Sequence, residues 1–386
     1  MKRVYLDHNA TCPVDPRVRD AVAPFLEGDF GNPSSVHRFG QAVRAAVERA
    51  REQVARLLNA DVDEIVFTSG GTESDNLALH GAVRALRQKA ERPHVITSAI
   101  EHPAVADTAE ALKDTGCDVT YLPVTREGLV TPDVLRQALR KETVLVSVML
   151  TNNEIGVIEP VEELVPVAHD AGALFHCDAV QAVGKIPVDV RALGADLVSV
   201  SGHKFYALKG AGALYVKRDT PMECFVTGGH QEEGRRGGTE NVVGIVGMGR
   251  AAELARTEFL QAAPHVAALR DKLEKGILEK IPNVQVNGSR ERRVSNTLNV
   301  SFKGVDGEAV LISLDLKGVA VSTGSACSSG SVDPSPVLES LGISKEDNKA
   351  SIRFSLGVGT TEEDIEYVLK VLPSVVKEIR KISMVA

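Results

Sequence analysis

Leu197-Val198-Ser199-Val200-Ser201-Gly202-His203-Lys204-Phe205 is the stretch against which the rest of the chain is read. An apolar run, Leu197 to Val200, ends in Ser201-Gly202, and a lysine follows almost at once. A charge on the lip of a buried strand is costly unless it is used or removed. Schiff-base formation with a carbonyl cofactor removes it, and lysine is the side chain that does this. Taken alone, the stretch fits a surface lysine just past a strand end equally well. Leu174-Phe175-His176-Cys177-Asp178 shifts the balance, because it is a second apolar run and ends in an acid.

A pyridoxal phosphate (PLP) site needs an acid against the pyridine nitrogen, a lysine for the aldehyde and a cradle for the phosphate. Ile65-Val66-Phe67-Thr68-Ser69-Gly70-Gly71-Thr72-Glu73 offers the cradle. A short strand, two glycines and several hydroxyls open a helix there, and helix N-terminal N–H groups attract anions. An ordinary capped strand-to-helix turn has the same pattern.

Outward from these stretches, strands and helices alternate. Val95-Ile96-Thr97 leads to Glu101-His102-Pro103, Val119 to Leu122 is a strand, and Pro132 to Leu139 a short helix. Val144 to Leu150 is nearly all apolar, as a central parallel strand buried on both faces should be. It empties into Thr151-Asn152-Asn153-Glu154-Ile155-Gly156, at the end of the sheet where ligands bind in open α/β folds. The first long helix follows Asn32-Pro33-Ser34-Ser35, with Val43, Val47, Val54, Leu57 and Leu58 on one face. The pattern predicts an α/β chain with a mostly parallel sheet covered by helices on both faces. We expect a large domain over 15–257. A smaller α+β domain would comprise 1–14 and 258–386, with a long helix near Gln261 to Ile281. Its strands lie at Val284–Val286, Thr297–Ser301 and Ala350–Phe354, with helices near Glu308 to Leu316 and Glu362 to Lys381.

Composition narrows the function. The 386 residues are 43% hydrophobic and 25% charged, values typical of a globular protein. A net charge of −8 argues against a nucleic-acid partner. No apolar run reaches the roughly 20 residues of a membrane span, and Met1 to Asp7 lacks a signal-peptide core, so a cytoplasmic protein is expected. The five cysteines, Cys12, Cys117, Cys177, Cys224 and Cys327, are scattered without a C-x-x-C pair, which suggests neither disulfides nor zinc.

Two loops invite chemistry. Gly228 to Asn241 is glycine-rich and charged, and Arg235 and Arg236 beside Gly237, Gly238 and Thr239 could reach a phosphate or carboxylate. A solvated loop fits that composition equally. In Ser322-Thr323-Gly324-Ser325-Ala326-Cys327-Ser328-Ser329-Gly330-Ser331, Cys327 lies among small polar residues with no large apolar neighbour to cover it. That context points to a reactive thiol, whereas Cys117 and Cys177 read as inert and buried.

Together these motifs, from Tyr5-Leu6-Asp7-His8-Asn9-Ala10-Thr11 to Ser351-Ile352-Arg353-Phe354-Ser355-Leu356-Gly357, resemble a cysteine desulfurase of the NifS/IscS type in the aminotransferase class V superfamily. The resemblance implies fold type I, a homodimer and PLP. Lys204 would hold the cofactor's aldehyde, Asp178 would pair with the pyridine nitrogen, and His102 would stack on the ring. Asn153 and Gln181 would bond the ring-oxygen region. Gly71, Thr72, Ser201 and His203 would hold the phosphate, with Thr239 of the partner subunit. Arg353 would clamp the carboxylate of L-cysteine, together with Asn153.

In that scheme Lys204 removes the Cα proton, and Cys327 attacks the substrate sulfur, keeping it as a persulfide while alanine leaves. His102 is the candidate to take the thiol proton. The sulfur would pass to an iron–sulfur scaffold protein or another acceptor. No resident metal is implied, although Cys327 could ligate a cluster transiently during transfer. Three departures stand out: Ala207-Leu208 replaces a usual Gly-Pro, Glu233 a frequent arginine, and Cys12 a common threonine. The chain ends at Met384-Val385-Ala386, where housekeeping IscS proteins carry a longer docking tail, so a NifS-like or specialised partner is expected. A selenocysteine lyase or aminotransferase of the same superfamily is the alternative enzyme. A non-catalytic sulfur or metal scaffold built on His176-Cys177-Asp178 or His203 is the alternative of another class.

Overall fold

The computed structural model describes residues 2–323 and 334–383. Cys327 lies outside the described residues. The strands in chain order are β1 (Val4–Tyr5), β2 (Ile65–Thr68), β3 (His94–Ser98), β4 (Asp118–Leu122), β5 (Thr143–Ser147) and β6 (Leu174–Asp178). They continue with β7 (Leu197–Ser201), β8 (Gly212–Val216), β9 (Val284–Val286), β10 (Thr297–Phe302), β11 (Val319–Ala320) and β12 (Ser351–Ser355).

Seven strands form one sheet in the order β2-β8-β7-β6-β5-β3-β4. Contacts from β7 through β4 are parallel, and β8 pairs antiparallel with both β7 and β2. Strands β5, β6 and β7 lie in the middle and are covered on both faces, which is why their sequences are apolar runs rather than alternations. One core packs Val146, Phe175, Cys177, Val198 and Val200 under helices, and another packs Leu77, Val95, Leu145 and Leu197.

A separate core joins Leu6, Leu273, Leu298, Phe302, Val310, Ile352, Phe354 and Leu372 around the antiparallel sheet β12-β10-β9. The N-terminal strand pairs there as well, β1 lying parallel to β11. Gly156, with φ +72, brings the loop after β5 against β10, where a Cβ would come within 2.6 Å of Thr297. The polar loop is thereby pinned between the two sheets.

Most expected elements are present within a residue or two. The apolar run 144–150 pairs only as far as Ser147, its last residues turning into the loop. A helix at Pro16–Glu27 was not anticipated. The helix at Val242–Leu254 continues through a π-turn, Ala255–Phe259, into Leu260–Lys280, so the helix expected near Gln261 to Ile281 is the second half of one continuous rod. No helix among the described residues is long and apolar enough to cross a membrane.

Candidate functional site

The site forms where the ends of β6 and β7 meet the N-terminal segment and β12. Asp178 ends β6 and is buried, its carboxylate accepting the Val180 N–H at 2.8 Å. Burial pushes its pKa up to about 6, against the opposing pull of that N–H and of Lys204. A carboxyl so placed gains from a cationic or N–H partner.

Lys204 follows β7 in a short turn, Gly202–Phe205. Its Nζ donates to the carbonyls of Asn9 at 2.6 Å and Ala10 at 2.9 Å. His203 Nδ1 lies 3.2 Å from Thr11 Oγ1. Ser201 is buried at the end of β7, and Gly71 and Thr72 open the helix Gly71–Leu86, which has no side-chain cap among the described residues. A Cβ on Gly71 would come 2.8 Å from Val180 Cγ2 and 3.4 Å from Ser201 Cβ. The uncapped N–H groups and this close cradle suit an anion of phosphate size.

His102 caps the helix Pro103–Asp114, its Nδ1 accepting the Ala104 N–H at 3.1 Å. Burial first, and Lys204 second, lower its pKa to about 4. The ring is therefore neutral at physiological pH, and with Nδ1 accepting, its proton sits on Nε2.

Arg353 in β12 is 1% exposed. Its guanidinium donates to Asn153 O at 3.1 Å and to Asp7 Oδ1 at 2.8 Å. Its Nε has no hydrogen-bond partner among the described residues, a buried donor that calls for an acceptor. Gln181 Nε2 donates to Asn9 O at 2.9 Å. Thus Lys204, His203, Gln181, Asn153 and Arg353 are drawn together by one N-terminal segment, Asp7 to Thr11.

Asp7 and Asn9 are functional positions that residue-by-residue reading named in a motif but gave no role. Asn9 Nδ2 also reaches Asn153 O and Thr297 Oγ1, and Asn296 reaches Asn9 Oδ1. Its partners lie 144 to 288 residues away, beyond any local signal.

Thr239 stands apart from this cluster and is exposed. The loop around it is tied down rather than merely solvated. Arg236 pairs with Glu73 in the first turn of the Gly71 helix at 2.7 Å, and Arg235 donates to Asp63 O at 2.7 Å. Glu232 is buried against Arg51, whereas Glu233 faces solvent beside Arg235. Glu233 therefore places a carboxylate, paired with Arg235 at 3.5 Å, on the exposed side of the loop. Cys12 is buried, its thiol 3.3 Å from Lys204 O. Ala207 is packed in the core.

The metal-scaffold alternative finds no support in His176, whose two ring nitrogens lie 2.8 Å from Ser147 Oγ and 2.9 Å from Ser199 Oγ. Cys177 beside it is buried in the core with its pKa pushed well up.

Residues 4–368 match the model of the aminotransferase class-V family. A cysteine desulfurase IscS from Dictyoglomus turgidum is 50% identical over 384 residues, covering 99% of this chain and 97% of the relative. Among solved structures, a NifS-like protein superposes with a TM-score of 0.91 at 36% identity, over 98% of this chain and all of that one. SspA in complex with cysteine gives a TM-score of 0.82, also at 36% identity, over 93% of this chain and all of the other. The large mixed sheet is thus the fold type I architecture of PLP-dependent transferases. The chain belongs to the aminotransferase class-V family and, within it, to the cysteine desulfurases.

Proposed function

We propose that this chain converts L-cysteine to L-alanine and takes the sulfur onto Cys327 as a persulfide. The observation that carries the reading is the anchoring of the described chain on either side of the Cys327 segment. Before it, Ser322 exchanges both backbone hydrogen bonds with Arg353, at 2.7 and 3.2 Å. After it, Ser335 donates to the buried Glu154 carboxylate at 2.5 Å, next to Asn153. The described residues on either side of that segment are therefore held by Arg353, assigned to the substrate carboxylate, and by Glu154, the chain neighbour of Asn153.

The fit to PLP is supported by the buried Asp178, the cradle at Gly71 and the Lys204 amine, whose charge acts on Asp178. Lys204, Asp178, His102, Asn153, Gln181, Gly71, Thr72, Ser201 and His203 would hold it, with Thr239 of the partner subunit in a homodimer. When bound, the cofactor supplies the electron sink that makes a Cα proton removable. Arg353 and Asn153 bind and orient the substrate carboxylate, and Lys204 Nζ takes the Cα proton. The Cys327 thiolate forms an S–S bond to the substrate sulfur as the C–S bond breaks. The electron pair of that bond stays with carbon, which takes up protons to become alanine.

Delivery to an iron–sulfur scaffold or another sulfur acceptor in the cytoplasm completes the reading. Cys12, Cys117, Cys177 and Cys224 are all free, which supports a reducing compartment. The separate core around Leu6, Phe302 and Leu372 supports taking 1–14 with 258–386 as the smaller domain and 15–257 as the larger.

The test is the intact mass of purified protein after L-cysteine without reductant, with alanine assayed in parallel and Cys327→Ala as control. Alanine with one added sulfur on Cys327 is the expected result. Alanine without protein-bound sulfur would favour a lyase, and no alanine would refute the cysteine substrate.

A further inference from the structure

Lys185 is a buried cation in the site to which the reaction above gives no task. It closes a tight turn whose Gly184, at φ +79, sits where a Cβ would come 2.9 Å from Phe205 Cβ. That close approach packs the Lys185 turn directly against the turn carrying Lys204. Lys185 lines the same cavity as His8, Cys12, Lys204 and Tyr206.

Its Nζ donates to Gln181 Oε1 at 2.5 Å and to Asn9 Oδ1 at 3.0 Å. No carboxylate pairs with it among the described residues. The charged and titratable groups facing it are Cys12, Lys204, Arg353 and His8. Burial first, then Lys204 and Arg353 against the opposing pull of Cys12, lowers its pKa to about 7. A cation held only by two amide oxygens beside two other cations is a poor choice for stability alone.

The hydrogen bonds say what it does. Gln181 Oε1 accepts from Lys185 while Gln181 Nε2 donates to the Asn9 carbonyl, and the two contacts together forbid the flipped amide and fix its NH2 edge. Asn9 meanwhile accepts from both lysines, its main-chain oxygen from Lys204 and its side-chain oxygen from Lys185. We propose that Lys185 is a positioning residue for this reaction: with the Asn9 carbonyl it fixes the Gln181 amide as a donor to the cofactor's ring oxygen, and in its protonated form it places a second positive charge beside Lys204. The proposal rests on the reading that Lys204 holds PLP.

Removing a neighbouring cation, or a donor to the ring oxygen, makes the Lys204 nitrogen of the loaded enzyme keep its proton to higher pH. The experiment follows the visible absorption of the PLP-loaded protein against pH for wild type, Lys185→Met, Gln181→Met and the double variant. Lys185→Met is expected to raise the midpoint by at least about half a pH unit. The double variant is expected to shift by less than the sum of the singles, because part of the effect passes through Gln181. Lys185→Arg, which keeps the charge, should stay closer to wild type than Lys185→Met does. Lys185→Gln is neutral and polar, so it covers a folding defect in Lys185→Met and should shift the same way.

A wild-type transition left unmoved by both neutral variants would overturn the proposal and leave the PLP reading intact. An arginine variant that shifts as far as the methionine one would also overturn it, by assigning the effect to packing. A wild-type protein that shows no cofactor band after loading would overturn both.

Discussion

In the proposed scheme His102 has two jobs and one ring. Its backbone is extended, Pro103 follows at the first helical position, and Nδ1 takes the Ala104 N–H, so the imidazole is a helix cap. A ring whose Nδ1 is engaged presents an N–H at Nε2. To accept the Cys327 proton it must first release the cap. Asparagine separates the two jobs, since it is among the better N-caps and has no titrating ring. His102→Asn should keep stability within about 0.5 kcal/mol of wild type, while alanine production falls by about 10²-fold or more. His102→Ala should add a further loss of about 1 kcal/mol from the missing cap. Denaturant unfolding and the alanine assay read the two effects independently. Full turnover in the asparagine variant would remove the ring from the chemistry.

At the scale of elements, the loop that presents Thr239 is held by an anchor its composition hides. Glu232 and Glu233 are consecutive residues in the left-handed region, at φ 47° and 57°. Such residues cost on the order of 1–3 kcal/mol each unless the surroundings hold them there. Here Arg51, from the helix Arg38–Leu58, grips the Glu232 carboxylate through two bonds of 2.6 and 2.8 Å. The Phe67 N–H of β2 adds a third at 2.8 Å. Arg51→Met would leave that carboxylate buried and without its cation, at a cost of about 3–5 kcal/mol in denaturant unfolding. Arg51→Met combined with Glu232→Gln should recover part of the loss. A single variant as stable as wild type would mean that the pair does not anchor the loop.

The same loop marks the limit of reading from sequence. Strands β5, β6 and β7 were legible because burial on both faces leaves mostly apolar runs, with Asp178 ending β6 and Lys204 just beyond β7. Gly-rich charged segments have no such period, so a buried glutamate reads as a solvated one. The helix at Pro16–Glu27 was missed although Asp15-Pro16 is a cap followed by a first-turn proline, and Asp15 does accept the Arg17 N–H. Lys185 was missed for a different reason: a lysine after a glycine reads as surface, and its partners are another turn and the N-terminal segment.

Across the whole molecule, buried ionisable groups shape stability in both pH directions. Burial raises Glu101 and Glu159 to about 8 and Glu154 to about 7. It lowers His8, His94, His102 and His203 to about 4 and His176 to about 3. The folded histidines refuse protons that the unfolded chain binds near pH 6.5, so stability falls as pH drops from there toward 4. The folded acids hold protons that the unfolded chain releases near pH 4.5. Their contribution is complete below that pH and is lost as pH rises through 7 to 8. The two trends cross in mildly acidic solution, where stability should be greatest.

Glu101 isolates the alkaline limb. It is 7% exposed, its Oε1 takes the Ser98 hydroxyl at 2.5 Å and the Met149 N–H at 3.0 Å, and its Oε2 has no partner among the described residues. Glutamine keeps the acceptor and imitates the protonated acid. Between pH 4.5 and 8, Glu101→Gln should therefore remove up to about 1.4 kcal/mol of stability loss per pH unit. Urea unfolding of both proteins across that range gives the slopes directly. Equal slopes would mean that Glu101 ionises in the folded protein near its ordinary value, and its burial would then need a compensating cation.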